Sequence, residues 1–312
     1  MMMDARGTPV SCGDRAALDR FEEALRQAQT YVGDPIATIE RALTERPDFV
    51  AGHLLRAGVL ATLAERRFFD AARTSLEAAE DLADHAVPRE RAHMAALRHL
   101  LDGAWDEANR LFDGVLAEHP RDALALLVAH LFDFYRGDAL NLRNRVGRVL
   151  PHWSPDVPGY SFVLGMHAFG LEECNQYPEA ESVAHRALAL EARDAWAIHA
   201  ATHVLEMQGR VEEGIDWLES RRRDWAVDNA LAPHNSWHLA LFHLDRGSHD
   251  RVLAIFDGGV LPSPSDLALQ LLDASALLWR LHLEGVDVGP RLEAVADAWE
   301  ARAIIAWASL NA

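Results

Sequence analysis

The sequence predicts an all-α fold, a solenoid of about eight antiparallel helix pairs, from three observations. Strand signals are nearly absent: Val, Ile and Thr do not alternate with polar residues over any useful length. Ala, Leu, Glu and Arg dominate, and apolar residues recur at helical spacing. Glycine and proline fall singly at intervals, which is how repeat architectures punctuate a chain.

Residues 1–13 read as a frayed terminus, followed by the faintest repeats. Gly33-Asp34-Pro35 and Pro47 punctuate the first pair, and a second pair centres on Leu54 and Ala72. The clearest unit runs from Arg89 to Pro120. A helix from Arg89 to Leu101 is closed by Gly103, Trp105-Asp106-Glu107-Ala108 opens its partner, and Glu118-His119-Pro120 ends it. A turn glycine, an aromatic two residues on, an alanine three further and a closing proline make a tetratricopeptide-like unit. Gly103 turns the chain without a side chain in the way, and Ala108 lets the two helices approach closely.

The same grammar recurs down the chain. Gly137 ends a helix from Ala123, and Tyr177-Pro178-Glu179-Ala180 opens one after a helix from Ser161. Gly209 follows the helix that carries His199, Gly247 the helix from His234, and Gly285 the helix from Asp273 to His282. The longer connections, Pro151 to Gly159 and Gly258 to Ser265, read as ordered loops inside a single superhelical domain spanning 1–312. Stacked pairs bury their apolar faces only on neighbours, so the leading helices should line a concave face.

The formal charge is −18, from 48 acids against 30 bases. That field repels nucleic acid and anionic membrane surfaces, so neither is expected as a partner. Arg143, Arg145 and Arg148, and the run Arg221-Arg222-Arg223, read as solvated helix faces. Cys12 and Cys174 make no disulfide framework, which fits a reducing cytoplasm. The opening Met1-Met2-Met3-Asp4-Ala5-Arg6 lacks a secretory pattern, and no apolar run is long enough to span a membrane.

The turn glycines set a register. With the glycine near position 15 of a repeat, groove-facing positions fall at about 2, 5, 9, 12 and 13. Before Gly209 these are Trp196, His199, His203, Glu206 and Met207. Before Gly247 they are His234, Trp237, Leu241, Leu244 and Asp245, with His238 one position round. Before Gly103 the first two are Glu90 and His93. In the repeat without a turn glycine, Ala180 matches Ala108 and Gly214, which puts Glu172 and Glu173 last. His93, His199, His203, His234, Trp237 and His238 are therefore the expected binding residues of one hollow. His119, His185, His249 and His282 fall outside it. Trp196, Trp237 and Trp279 read first as packing between pairs.

Three chemistries fit such a hollow. His199/His203 and His234/His238 have the i, i+4 spacing that places two imidazoles on one divalent metal such as Zn, with Glu206 or Glu172 as a further ligand or general base. Ala200 and Asn235 stand where the Glu of a zinc-protease motif would be, so that motif is absent. Metal-free acid–base catalysis would use His199 with Glu206, or His203 with Glu172; Cys174 is a weaker nucleophile candidate. A scaffold would hold a small polar or cationic ligand, or a peptide with basic residues, because the groove positions lack the Lys and Arg of a carboxylate clamp. The scaffold is the leading expectation and the enzyme its alternative.

Several longer stretches carry a resemblance. Arg89-Glu90-Arg91-Ala92-His93, Asp122-Ala123-Leu124-Ala125-Leu126, Arg148-Val149-Leu150-Pro151-His152-Trp153 and Gly165-Met166-His167-Ala168-Phe169-Gly170-Leu171-Glu172-Glu173 are four of them. His199-Ala200-Ala201-Thr202-His203-Val204, His234-Asn235-Ser236-Trp237-His238-Leu239-Ala240-Leu241 and Leu277-Leu278-Trp279-Arg280-Leu281 complete the set. Between about Arg89 and Arg291 the chain resembles the tetratricopeptide repeat protein 38 family. The resemblance implies an all-helical repeat protein and brings no reaction with it. Two departures follow: Leu292 replaces an aromatic after Arg291, and Ala303-Ile304-Ile305-Ala306-Trp307 does not read like the family's usual continuation. A shortened array favours a homo-oligomer or a different cap.

Overall fold

A computed structural model describes residues 1–302; the Ala303–Trp307 run lies outside them. Eight helix pairs follow one another among the described residues. They are α1 (Arg15–Thr30) with α2 (Pro35–Glu45), α3 (Val50–Thr62) with α4 (Arg66–Asp81), α5 (Pro88–Leu101) with α6 (Trp105–Glu118), and α7 (Ala123–Tyr135) with α8 (Ala139–Val149). Then come α9 (Tyr160–Glu173) with α10 (Tyr177–Leu190), and α11 (Ala195–Met207) with α12 (Val211–Ser220). After a short α13 (Arg222–Trp225), α14 (Ala232–Asp245) pairs with α15 (His249–Ile255), and α16 (Ala268–Leu283) with α17 (Arg291–Glu300). The fold is an all-α, tetratricopeptide-like solenoid. No described helix is long and apolar enough to cross a membrane.

Local chemistry sets the helix ends. Asp34, Asp122, Asp138 and Asp194 each begin a helix by accepting a hydrogen bond from a first-turn backbone N–H, worth about 1 kcal/mol apiece. Where the α9–α10 turn lacks a glycine, Asn175 takes the left-handed conformation instead, at φ 58°; asparagine tolerates it better than most residues. Close approach requires the small residues. A Cβ on Gly214 of α12 would lie 2.3 Å from the Phe242 ring of α14, so any side chain there would push the two repeats apart.

Four expectations need correction. The first 13 residues are ordered. Met2–Met3 pairs antiparallel with Pro9–Val10, and the turn between them buries Asp4 and Arg6 as an ion pair of 3.0 Å, with Arg6 also 2.8 Å from Glu22. Arg89 donates to the Pro9 carbonyl and Ser11 N–H donates to Glu90, so the segment is fastened to α5. Next, Arg145 is not solvated: it is buried, donating to Asp133 at 2.7 Å and to Asp113. The loop expected from Gly258 begins instead inside a π-helical turn, Phe256–Val260. Last, the leading helices do not line a continuous groove. In the first half α3 packs directly on α7 as well as α5, Tyr135 donates to the Thr62 carbonyl at 2.7 Å, and a Cβ on Gly58 would sit 3.1 Å from Val128. The inner side of that half is packed shut.

Contacts between distant parts of the chain close the array. Glu65, at the start of α4, accepts from Ala268 N–H at the start of α16 at 2.7 Å and pairs with Arg302 at 3.0 Å. Arg67 reaches Asp266 at 2.5 Å. Near α1, Asn229 donates to the Thr30 carbonyl, Ala230 N–H donates to that of Tyr31, and the Tyr31 ring stacks on Trp196 at 5.9 Å.

Candidate metal centre

The apolar faces of α11 and α14 fix the direction of their polar stripes. On α11, Ala197, Ile198, Ala200, Ala201, Val204 and Leu205 are buried, and on α14 Leu239, Ala240 and Phe242 are. Between these faces, i, i+4 spacing brings four imidazoles together: His199 and His203 from α11, His234 and His238 from α14. His234 Nε2 lies 3.0 Å from His199 Nε2 and 3.2 Å from His238 Nε2. The His199 and His203 ring centroids are 4.3 Å apart, those of His203 and His238 4.6 Å. One nitrogen from each of the four lies within 4.8 Å of the others.

A shell of carboxylates surrounds the rings. Asp273 of α16 holds His234 Nδ1 at 2.8 Å, Glu206 of α11 holds His238 Nδ1 at 2.7 Å, and Glu172 of α9 lies 3.3 Å from His203 Nδ1. A carboxylate at Nδ1 fixes the proton there and leaves the Nε2 lone pair facing inward. His199, whose Nδ1 has no carboxylate, brings its Nε2 to 3.0 Å from that of His234, and the Nε2 lone pairs of His234 and His238 meet at 3.2 Å with no proton between them. That arrangement is repulsive unless a positive charge sits at the centre, either one extra proton or a metal cation.

Protonation favours ligation at two of the rings, His199 and His238. Burial, then the neighbouring imidazoles, hold His199 and His238 well below the usual histidine range, so both are neutral lone-pair donors. At His203 burial acts downward, but Glu172 outweighs it and the net shift is up. Burial raises the carboxyls of Glu206 and Glu173, the latter with help from Glu172 beside it. His199 Nδ1 and His203 Nε2 are buried without hydrogen-bond partners, a state that ordinarily costs on the order of 1–3 kcal/mol each. Side chains of His203, His234 and Glu206 keep 23%, 31% and 29% exposure, so one side of the cluster reaches solvent.

The expected site residues separate into two groups. His199, His203, His234 and His238 converge, with Glu172 and Glu206 against them. Trp237 lies alongside, its ring parallel to His234 at 5.5 Å. His93 does not join them. It is buried on α5, its Nε2 2.7 Å from Asp122, which also takes Arg89 at 2.7 Å, and Glu90 accepts the backbone N–H groups of Ser11 and Val87. Burial opposes ionisation of Asp122, but His93, Arg89 and the Ala125 N–H hold its carboxyl well below the usual range. The hollow is therefore fed by four leading helices, α9, α11, α14 and α16, and not by α5. Of the tryptophans, Trp196 packs in the core while Trp279 is 55% exposed, so packing does not account for it. Cys174 Sγ donates to the Ala139 carbonyl. His249 pairs with Glu284, and His185 stands edge-on to Trp217, both outside the cluster.

Three groups, Asp273 half-buried and the other two buried, escaped the register. Asp273 falls one residue past the first groove position counted back from Gly285, the same one-residue offset by which His238 follows Trp237. His130 on α7 is buried against Trp196 and Phe169 with neither ring nitrogen bonded, and burial pushes it down to about 3. Asp194, fully buried under α11, is pushed up to about 7.

No protein-family profile matches the chain. Among solved structures it is similar to a human IFIT1 dimer with PPP-AAAA, at 13% identity and a TM-score of 0.48, over 85% of this chain and 67% of that one. At that level nothing about ligands or partners carries over.

Proposed function

We propose that this chain is a tetratricopeptide-like binding scaffold whose small cationic ligand is a divalent transition metal, held by His199, His203, His234 and His238. The observation that carries the reading is the 3.2 Å contact between the Nε2 atoms of His234 and His238, rings whose outer nitrogens are held by Asp273 and Glu206, with His199 Nε2 3.0 Å from that of His234. Four nitrogens bonded to Zn at about 2.0–2.1 Å would be separated by about 3.3 Å, close to these contacts. Imidazole donors suit Zn, Cu, Fe or Ni over Mg or Ca. With four protein ligands a tetrahedral ion is saturated, which favours binding over catalysis. The enzyme alternative rests on the solvent-reaching side, where Glu206 could act as base toward a fifth ligand.

The wider reading is an affiliation with the tetratricopeptide repeat protein 38 family, as one domain over 1–312, in a reducing cytoplasm. A net charge of −18 speaks against nucleic acid as partner. Peptide binding or self-association at remaining surfaces stands as a secondary proposal.

Elemental analysis of protein purified without chelator should find at least one transition metal per chain. Zn added to stripped protein should raise the melting temperature, and His199→Gln should abolish that rise. Stripped protein that melts identically with and without Zn, Cu, Fe or Ni would leave the cluster as a proton-sharing packing motif.

A further inference from the structure

His203 differs from its two carboxylate-held neighbours. Asp273 and Glu206 approach their imidazoles at 2.8 and 2.7 Å, in hydrogen-bonding geometry. Glu172 stands back at 3.3 Å from His203 Nδ1, and its Oε2, on a side chain only 5% exposed, meets no donor in hydrogen-bonding geometry. Glu173 follows it in sequence, and one oxygen from each glutamate and one nitrogen of His203 lie within 4.8 Å of one another. Two carboxylates side by side repel unless a positive charge lies between them. A separation of 3.3 Å is wide for a charge-assisted hydrogen bond but matches the edge of a tetrahedron of N and O ligands about 2.0–2.1 Å from a metal.

From this geometry we infer a second metal site, formed by Glu172, Glu173 and Nδ1 of His203, adjoining the four-histidine centre and sharing the His203 ring with it. The inference rests on the proposed four-histidine site for the sharing, though not for the three ligands themselves. The ring's Nε2 belongs to the first ion and its Nδ1 to the second. Binding the second ion displaces the Nδ1 proton to solvent and leaves His203 a bridging imidazolate; no electron is transferred. The two sites differ in kind. Four protein ligands close the first, whereas three leave the second a coordination position for water or an exchangeable ligand, the arrangement of catalytic rather than structural sites.

The test uses the full chain, stripped of metal and titrated with Co²⁺ and separately with Cu²⁺, with bound metal measured after equilibrium dialysis. Wild type should take up close to two equivalents, and the di-copper form should show the electron paramagnetic resonance signature of two magnetically coupled ions. The Glu172→Gln/Glu173→Gln variant should retain close to one equivalent, uncoupled. One equivalent in wild type, unchanged in the double variant, overturns the second site and leaves the four-histidine centre standing. Two equivalents that the double variant also retains overturn the assigned ligands, and two equivalents without coupling overturn the shared ring. No uptake by wild type overturns both readings. The wild-type stoichiometry and spectrum decide the matter even where the double variant does not fold.

Discussion

His93 and His199 are both buried on a leading helix of a repeat, both in aromatic company, and their surroundings differ in one respect. Around His93, every charge has an internal answer: Asp122 takes the imidazole, the Arg89 guanidinium and the Ala125 N–H. Around His199, four imidazoles turn nitrogens toward one another, carboxylates stand behind three of them, and among the described residues no arginine is hydrogen-bonded to these rings. The same residue types at similar spacing thus give a sealed structural joint in one place and the proposed coordination shell in the other. What separates them is the presence of an internal cation. Arg89 completes the first cluster, and the proposed metal would complete the second.

Removing a partner from each cluster sharpens the contrast. The largest effect should come from Asp122→Ala, which strands Arg89 and His93 in the interior and removes the cap of α7. Urea denaturation should show a loss of about 3–5 kcal/mol, with metal uptake at the four-histidine centre unchanged. A coupled loss of uptake would mean that the two clusters are not independent. Asp273→Asn should do the reverse: stability without metal barely moves, while Zn affinity falls about 10–100-fold, read by competition against a chromophoric chelator. Unchanged affinity would remove Asp273 from the supporting shell.

The smallest effect is pH-dependent and concerns His130, which belongs to neither cluster. Its folded pKa is depressed to about 3 from an ordinary 6.5, so between those values the unfolded chain binds the proton that the folded one refuses. Stability is therefore lost as pH falls through that window. Metal-stripped His130→Leu should gain on wild type by about 1 kcal/mol between pH 7 and pH 5.5. A gap that does not change with pH would show that the fold leaves the His130 pKa where it lies in the unfolded chain.

Periodicity carried much of this molecule. Turn glycines, the small residues facing them and the aspartate caps are local signals, so most helix boundaries between Pro88 and Asp245 follow from spacing to within a residue or two, as does the stripe joining His199, His203 and Glu206; α13, the π-helical turn and the start of α16 at Ala268 do not. The rest depends on how pairs sit on one another. His93 occupies a groove position by count, but the N-terminal hairpin and the cap of α7 cover it, and neither leaves a mark near His93 in the sequence. Asp273 and His238 lie one residue off the counted register, and only the contact between α14 and α16 shows that they belong to the cluster. The hairpin of residues 1–13 was invisible because its stability comes from a buried Asp4–Arg6–Glu22 group assembled from separate stretches.

The ties from Glu65 and Arg67 to residues 266–268 give the array a mechanical character that its repeats alone would not. An open coil of helix pairs behaves as a spring, stretching and unzipping one link at a time. This coil is hooked onto itself, so a load applied across it is shared between the chain of repeats and the ties at Glu65 and Arg67.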